Sequence, residues 1–338
     1  MPHAFSVPTG AHKRLATTVS ALRQPAAYPG TEAPEEAIET HMAWVFLTSS
    51  HAYKLKKPIH NRLIDHRTAA DRRRACQTEV ALNRRLAAPV YLGTVPVAHT
   101  THGLRVDGTG PPVDWLVKMR RLPRTQMLDV RIRQGRVHRS QIHALAAVLA
   151  RFYRTARPAR WSRAEYRGRL LANLAAKRTS LQHPRYRLPP RLLQAVAHAQ
   201  SRWLRAQAAH IEARARRVVD AHGDLRPEHV CLTSSPLVID CLEFNRTLRL
   251  LDPLSELAFL SLECRRLGAA WVGPALIASY RQRSDDDAPA RLISFYESYH
   301  ATVRAAIAVW HLDDDAHTDA TRWRRQAITY LRLAREQL

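Results

Sequence analysis

The hydrophobic pattern of this chain changes near Pro123, and the change restricts the folds that the chain can adopt. Before Pro123, apolar residues occur in short runs of branched and aromatic side chains bounded by turn-forming residues, as in strands. After Pro123 they recur at helical spacing, for example in residues 140–153 and 322–338. The sequence therefore predicts an α+β fold, with a small β-rich lobe followed by a larger, mainly helical lobe.

Three segments are predicted from this pattern. Residues 1–35 contain many Pro, Gly and Ala residues and form an extension with one short helix near residues 17–24. Residues 36–122 form the β-rich lobe, and residues 123–338 form the helical lobe. Within the helical lobe, loop and strand character interrupts the helices only at residues 221–240.

Local patterns in the small lobe predict its elements. Residues 42–55 form two strands joined by a tight turn at Thr48-Ser49-Ser50. Residues 69–86 lack Pro and Gly and are predicted to form a long helix. One stripe of this helix carries Cys76, Val80, Asn83 and Ala87. Further strands are predicted at residues 90–98, 103–109 and 113–119.

The chain is strongly basic, with 53 Lys and Arg residues against 29 Asp and Glu residues and a formal net charge of +24. Such a charge attracts polyanions, so a nucleic-acid-binding protein is one alternative. The 47 arginines are spread through Ala-rich helical stretches, however, and no motif that reads RNA or DNA accompanies them. A nucleic-acid partner is therefore allowed by the charge but not expected.

Membrane and secreted classes are disfavoured. No apolar run approaches the roughly 20 residues that a membrane helix requires. The N-terminus lacks the apolar core of a secretory signal, and the four cysteines show no CxxC pairing. We therefore expect a cytoplasmic protein. The sequence also lacks the glycine-rich phosphate loop and the GxGxxG motif, so any nucleotide must be held in another way.

Residues 221–252 carry the most informative pattern. A polar loop leads into a strand at residues 230–232, a Ser-Ser-Pro turn and a second strand at residues 237–240. Because such a hairpin folds back on itself, Asp224 before it and Asp240 at its end are predicted to lie near each other. Phosphoryl transfer needs two such carboxylates, one to accept a hydroxyl proton and one to hold Mg²⁺ against nucleotide phosphates.

The eight residues HGDLRPEH, at positions 222–229, resemble the catalytic loop HRDLKPEN of eukaryotic-type kinases, with five identities. The later IDxxxF resembles the metal-binding DFG segment. The resemblance implies that Asp224 is the catalytic base, that Arg226 steadies the γ-phosphate and that Asp240 is the principal ligand of Mg²⁺. By its position His229 would be the second metal ligand, where the kinases have asparagine, although imidazole is a poor ligand for Mg²⁺. Either Glu243 or water replaces that ligand, or activity is impaired.

From about residue 15 to residue 310, the chain is similar to bacterial aminoglycoside phosphotransferase-like proteins. The similar segments follow the family's order and are ETHxxWVFL at 39–47, AYKLKKP at 52–58, an NRRLA-to-YLG stretch at 83–93, VKMRR at 117–121 and HGDLRPEH at 222–229. The family implies a protein-kinase-like two-lobed fold and ATP- and Mg²⁺-dependent phosphorylation of a hydroxyl group. The Gly223 of HGD is typical of relatives that act on small molecules. The family name does not imply that the acceptor is an aminoglycoside.

The same resemblance assigns nucleotide-binding residues in the small lobe. Lys54, the last residue of AYK, matches the lysine that binds the α- and β-phosphates, and Glu79 is its counter-ion. Lys56 has the same strand parity and remains a rival for this role. The segment after the last strand resembles the hinge that bonds adenine through its backbone. Its residues are Met119, Arg120, Arg121 and Leu122.

Two functional alternatives remain open. His229 suggests a pseudokinase that binds nucleotide and acts through partners. The basic charge suggests the nucleic-acid-binding protein described above. The sequence favours a phosphotransferase whose acceptor is a small molecule.

Overall fold

The computed structural model of the protein describes residues 10–30, 32–61, 63–313 and 319–338. The chain forms two compact units. The first takes the chain up to Gln126 together with Leu237–Arg246, and the second takes Met127–Pro236 and the chain from Thr247 onward. The assignment of functions to residues 36–122 and 123–338 stays a prediction. Of the predicted extension, residues 1–9 and 31 lie outside the described residues.

An antiparallel sheet of six strands forms the centre of the first unit, in the order β1-β2-β3-β6-β4-β5. The strands are β1 (Glu36–Glu39), β2 (Ala43–Leu47), β3 (His51–Lys56), β4 (Tyr91–Thr100), β5 (Gly103–Val106) and β6 (Pro112–Arg120). The predicted hairpin is confirmed, because Leu47 pairs with Ala52 across the Thr48-Ser49-Ser50 turn. The three later strands are confirmed as well, whereas β1 was not predicted.

Helix α1 (Ala11–Leu22) covers one face of this sheet. Its Val19 and Leu22 belong to a buried cluster that includes Tyr53 and Leu55 of β3. The predicted helix at residues 17–24 is therefore present, but it begins and ends earlier. Gly10, with φ 77°, precedes its first turn. Residues 11–16 contain neither Pro nor Gly, so nothing in them prevents the helix from starting there.

Helix α2 (Ala69–Ala87) covers the opposite face of the sheet. Thr68 and Asp71 form a capping box that fixes its first turn. The predicted stripe of Cys76, Val80, Asn83 and Ala87 is buried as expected. Because side chains alternate along a strand, the residues of β3 that face α2 are Ala52, Lys54 and Lys56. This alternation brings both lysines to α2.

The second unit is mainly helical, which confirms the predicted α+β fold class. Its helix α9 is buried continuously from Pro253 to Cys264, and Asp252 caps its start. The described helices after Gln126 are α3 (Leu128–Arg133), α4 (Arg139–Thr155), α5 (Arg163–Leu181), α6 (Pro190–Ala206), α7 (Ala208–Ala213), α8 (Arg246–Arg249), α9 (Pro253–Arg266), α10 (Val272–Arg281), α11 (Ala290–Trp310) and α12 (Ala320–Glu336).

The remaining described strands have two residues each. They are β7 (Val219–Asp220), β8 (Val230–Cys231), β9 (Leu237–Val238) and β10 (Leu250–Leu251). In the second unit, β7 pairs antiparallel with β10, and the loop that follows β7 carries the HGD residues. The strands predicted at 230–232 and 237–240 are present as the shorter β8 and β9. None of the described helices is both long enough and apolar enough to span a bilayer.

Candidate active site

The first unit brings Lys54, Glu79 and Asp240 into direct contact. Lys54 Nζ donates hydrogen bonds to Glu79 Oε1 at 2.9 Å and to Asp240 Oδ1 at 2.6 Å. The Glu79 side chain is fully buried, that of Lys54 is 16% exposed and that of Asp240 is 43% exposed. The predicted ion pair is therefore present, and it extends to the carboxylate predicted to bind metal.

Lys56, the rival of Lys54, lies on the other side of Glu79. Its Nζ donates to Glu79 Oε2 at 2.6 Å and also binds Glu243 Oε1. Each oxygen of Glu79 thus accepts from one lysine. The Lys56 side chain is only 3% exposed. The two lysines share Glu79, but they differ in their second carboxylate and in their access to solvent.

Electrostatics keep Lys54 and Glu79 ionised. Burial alone would lower the pKa of Lys54, but the carboxylates of Asp240, Glu79 and Glu243 outweigh it and raise that pKa well above its usual value. Burial would likewise raise the pKa of Glu79, yet the two ammonium groups lower it. With two ammonium groups and three carboxylates, the cluster carries one excess negative charge.

The backbone at Asp240 is held in an unusual conformation. Its φ is 61°, in the left-handed region that non-glycine residues seldom occupy, although Asp adopts it more readily than most. The Asp240 N–H donates to the hydroxyl of Tyr91 at 3.0 Å. The next N–H, of Cys241, donates to Asn83 Oδ1 at 2.9 Å. Residues of β4 and α2 thereby fix the direction of the Asp240 side chain.

The predicted adenine-binding segment lies at the end of β6 and just after it. Met119 is buried against α2, and the Arg120 N–H donates to the Val90 carbonyl at 2.8 Å. The Arg121 N–H donates to the Ser50 carbonyl at 2.9 Å. These two amides are therefore occupied by the protein itself. Leu122, the fourth predicted residue, packs at the edge of the cluster beneath α2.

In the second unit, a buried glutamate holds the loop that contains Asp224. Glu256, on α9, accepts hydrogen bonds from the backbone N–H groups of His222 at 3.1 Å and Gly223 at 2.6 Å. It also accepts from the Tyr153 hydroxyl at 2.8 Å. Gly223 has φ 90°, which only glycine adopts without strain. The loop conformation therefore gives a physical reason for glycine in HGD.

Asp224, Arg226 and His229 contact one another in this loop. Arg226 Nε lies 3.0 Å from Asp224 Oδ1. His229 Nδ1 donates to the Asp224 carbonyl at 2.8 Å, because a carbonyl can only accept. Its Nε2 must then accept from Arg226 Nη2, which lies 3.1 Å away. Burial would lower the pKa of Arg226, but Asp224 raises it. His229 thus supports both Asp224 and Arg226.

Sequence reasoning missed two residues near this loop. Glu256 lies four residues after Asp252 in the segment LDPLSELA, and this second acidic residue was the available signal. Arg304, on α11, lies near Asp224; burial would lower its pKa, whereas Tyr330, Glu263 and Asp224 raise it. No local pattern in α11 distinguishes Arg304 from the other arginines of the chain.

The donor set of the first unit fits a Mg²⁺ ion brought in with a nucleotide. Among the described residues, no three His, Cys, Asp or Glu side chains form a group that could hold a metal alone. Mg²⁺ that bridges phosphates needs only one or two protein carboxylates. Asp240 supplies a hard, partly exposed oxygen donor in a cluster with one excess negative charge.

Comparison with known proteins identifies the family of the chain. Residues 51–294 match the model of the Phosphotransferase enzyme family. Uncharacterized proteins of Mycobacterium bovis and Mycobacterium tuberculosis are 34% identical to the chain over 290 residues. These matches cover 83% of this chain but 56% of each relative, so the chain spans about half the length of these relatives.

Solved structures with the same fold are more distant in sequence. A choline/ethanolamine kinase family protein from Mesorhizobium loti has a TM-score of 0.57 and 14% identity, over 95% of this chain and 99% of its own. The GDP complex of aminoglycoside 2'-phosphotransferase-IIIa has the same TM-score and identity, over 95% and 98%. At this identity the likeness establishes the fold alone. The chain has a protein-kinase-like fold and belongs to the phosphotransferase enzyme family.

Proposed function

We propose that this protein transfers the terminal phosphoryl group of ATP, bound with Mg²⁺, to a hydroxyl group of a small molecule. The observation that carries the proposal is the contact of Lys54 with both Glu79 and Asp240. A partly exposed lysine held between a buried carboxylate and an accessible one is suited to bind phosphates next to a metal-binding oxygen. Membership of a phosphotransferase family supports the same chemistry.

The first unit supplies the nucleotide-binding groups in this proposal. Glu79 keeps Lys54 charged and extended, and Lys54 binds nucleotide phosphates. Asp240 offers its carboxylate to Mg²⁺, which when bound would neutralise charge on the phosphates. Because the Arg120 and Arg121 amides already donate to the protein, we assign adenine binding to the remaining backbone groups of the Met119-to-Leu122 segment.

The second unit supplies the groups that act on the acceptor. Asp224 accepts the proton of the acceptor hydroxyl as its oxygen bonds to the terminal phosphorus. The bond from that phosphorus to the oxygen of the leaving nucleoside diphosphate breaks, which completes the transfer. Arg226, held beside Asp224 by His229, stabilises charge on the transferred group.

His229 carries the second candidate function, a pseudokinase that binds nucleotide with little turnover. The prediction that His229 binds metal stays a prediction. To do so, its Nε2 would have to exchange Arg226 for the metal, since Nδ1 is bonded to the Asp224 carbonyl. The contacts of His229 therefore agree with two functions. One is a kinase in which a single protein carboxylate binds the metal, and the other is a nucleotide-binding scaffold.

Nucleotide binding and turnover should be measured separately on the purified protein. Thermal shift with ATP, with and without Mg²⁺, reports binding. Phosphate transfer from γ-labelled ATP to a pool of hydroxyl metabolites reports turnover. Asp224→Asn should retain binding and lose about 100- to 10,000-fold in turnover, the usual contribution of a general base. Asp240→Asn should lose the Mg²⁺-dependent part of the shift.

The results separate the candidate functions. Nucleotide binding without transfer, unchanged by His229→Asn, would favour the pseudokinase. Transfer that rises on this substitution would favour a kinase whose rate His229 limits. Binding of nucleic acid that weakens steeply with salt and ignores ATP would instead favour the role suggested by the basic charge. No ATP-dependent shift at any Mg²⁺ concentration would refute the proposal.

A further inference from the structure

We propose that Lys56 is a positioning residue, which clamps the Asp240-bearing segment Leu237–Arg246 to β3 and α2 by binding Glu79 and Glu243 at once. The inference rests on the proposed function for the meaning of Asp240, but the clamp itself is a property of the first unit. It assigns distinct tasks to the two lysines that strand parity alone does not distinguish. Lys54 shares its donors with nucleotide phosphates, whereas Lys56 keeps its two carboxylate partners.

The need for a clamp follows from the position of Lys54. Lys54 bonds Asp240 at 2.6 Å and helps to hold it. An ammonium group has three donors, and Glu79 already accepts one of them. Phosphates that bind Lys54 compete with Asp240 for its remaining donors, so this restraint weakens at the moment when the Asp240 carboxylate must stay in place. Other contacts must therefore hold the segment.

The backbone conformation of Asp240 also needs contacts that hold it in place. Asp tolerates φ 61° better than most residues do, but the conformation still has a cost that contacts around it offset. Tyr91 and Asn83 bond the two N–H groups at Asp240 and Cys241. Three residues beyond Asp240, Glu243 binds Lys56. The left-handed residue is thus held by backbone contacts at its own position and by an ion pair on its C-terminal side.

Lys56 has the burial and charge that a permanent clamp requires. Its side chain is 3% exposed and that of Glu243 is 8% exposed, against 16% for Lys54. Burial would lower the pKa of Lys56, but Glu79 and Glu243 raise it, so the side chain stays charged at neutral pH. A buried ammonium with two carboxylate partners has no reason to leave them for solvent or phosphate.

The test compares Lys56→Met with Lys54→Met, its matched control two residues away on the same strand face. Hydrogen exchange of the Asp240 and Cys241 amides is measured without nucleotide, and ATP binding is titrated at several Mg²⁺ concentrations. Lys56→Met should speed exchange of these amides about 10- to 100-fold, since a hydrogen-bonded ion pair restrains the segment. It should raise the half-saturating Mg²⁺ concentration about 10- to 100-fold, as loss of a supporting contact does at metal sites.

Lys54→Met should behave differently, with weaker ATP binding at every Mg²⁺ concentration and a smaller effect on exchange. Glu243→Gln should reproduce Lys56→Met, and it serves in its place if Lys56→Met does not fold. The clamp is overturned if exchange at Asp240 and Cys241 is unchanged in both variants. It is also overturned if Lys56→Met weakens metal-free ATP binding as Lys54→Met does, because Lys56 would then be the phosphate anchor. Failure of the wild type to bind ATP would refute the proposed function, while the exchange data would still decide the clamp.

Discussion

Replacing Glu79 by Gln tests whether one buried carboxylate holds the lysine cluster together. The substitution keeps the shape of the side chain but removes a charge that is shared by Lys54 and Lys56. Removing one partner of a buried ion pair usually costs about 3–5 kcal/mol. Asp240 and Glu243 remain beside the two lysines, so we expect a loss near the lower limit, about 3 kcal/mol of unfolding free energy.

Urea unfolding at pH 7, followed by circular dichroism, measures this loss. Glu36→Gln is the matched control, because Glu36 is an exposed carboxylate on β1 of the same sheet, and it should change stability by less than about 0.5 kcal/mol. A double variant of Glu79→Gln with Lys56→Met should lose clearly less than the sum of the two single losses, since the residues share one interaction.

The loss should also depend on pH in a defined direction. The pKa of Glu79 is lowered from 4.5 in the folded protein, so its charge stabilises the fold above about pH 4.5. That contribution disappears as the pH falls through the folded-state pKa of Glu79. The difference in unfolding free energy between the wild type and Glu79→Gln should then become smaller. A loss below about 1 kcal/mol at pH 7, or fully additive double-variant data, would refute the reasoning.

Three further predictions concern the second unit. Gly223→Ala should lower the free energy of unfolding in urea by roughly 1–2 kcal/mol, because φ at this position is 90°. Gly168→Ala, within α5, should raise it by up to about 1 kcal/mol. Equal effects of the two substitutions would contradict the role of φ. Burial lowers the pKa of His300 from 6.5 to about 3, so stability is lost as the pH falls below about 6.5, by about 2 kcal/mol between pH 7 and pH 5. His300→Gln should remove this part of the pH dependence of the melting temperature. An unchanged pH dependence would show that His300 is not its source. Lys177 lies over Trp310, and burial lowers its pKa from 10.5 to about 8. Between about pH 8 and pH 10.5 the unfolded state therefore binds more protons than the folded state, so the free energy of unfolding rises with pH in this range. Lys177→Met should therefore raise the melting temperature at pH 7 and lose this advantage near pH 10.5; an advantage that persists would point to packing instead.

Local patterns in the sequence were sufficient for the elements whose determinants are close together in the chain. The β2–β3 hairpin follows from branched residues on both sides of a short polar turn, and the burial of α2 follows from its stripe. The HGDLRPEH loop was recognisable because its residues are adjacent in sequence. Periodicity was less informative for α1, where it did not locate the first turn correctly.

Tertiary structure alone decided how Lys54 and Lys56 differ, because alternation puts both side chains on the same strand face. Their second partners, Asp240 and Glu243, lie 186 and 187 residues away along the chain. Glu256 likewise reaches the backbone of His222 from 34 residues away. Residue spacing specifies which face of a strand or helix a side chain occupies, whereas the partner that it meets there depends on how distant segments pack together.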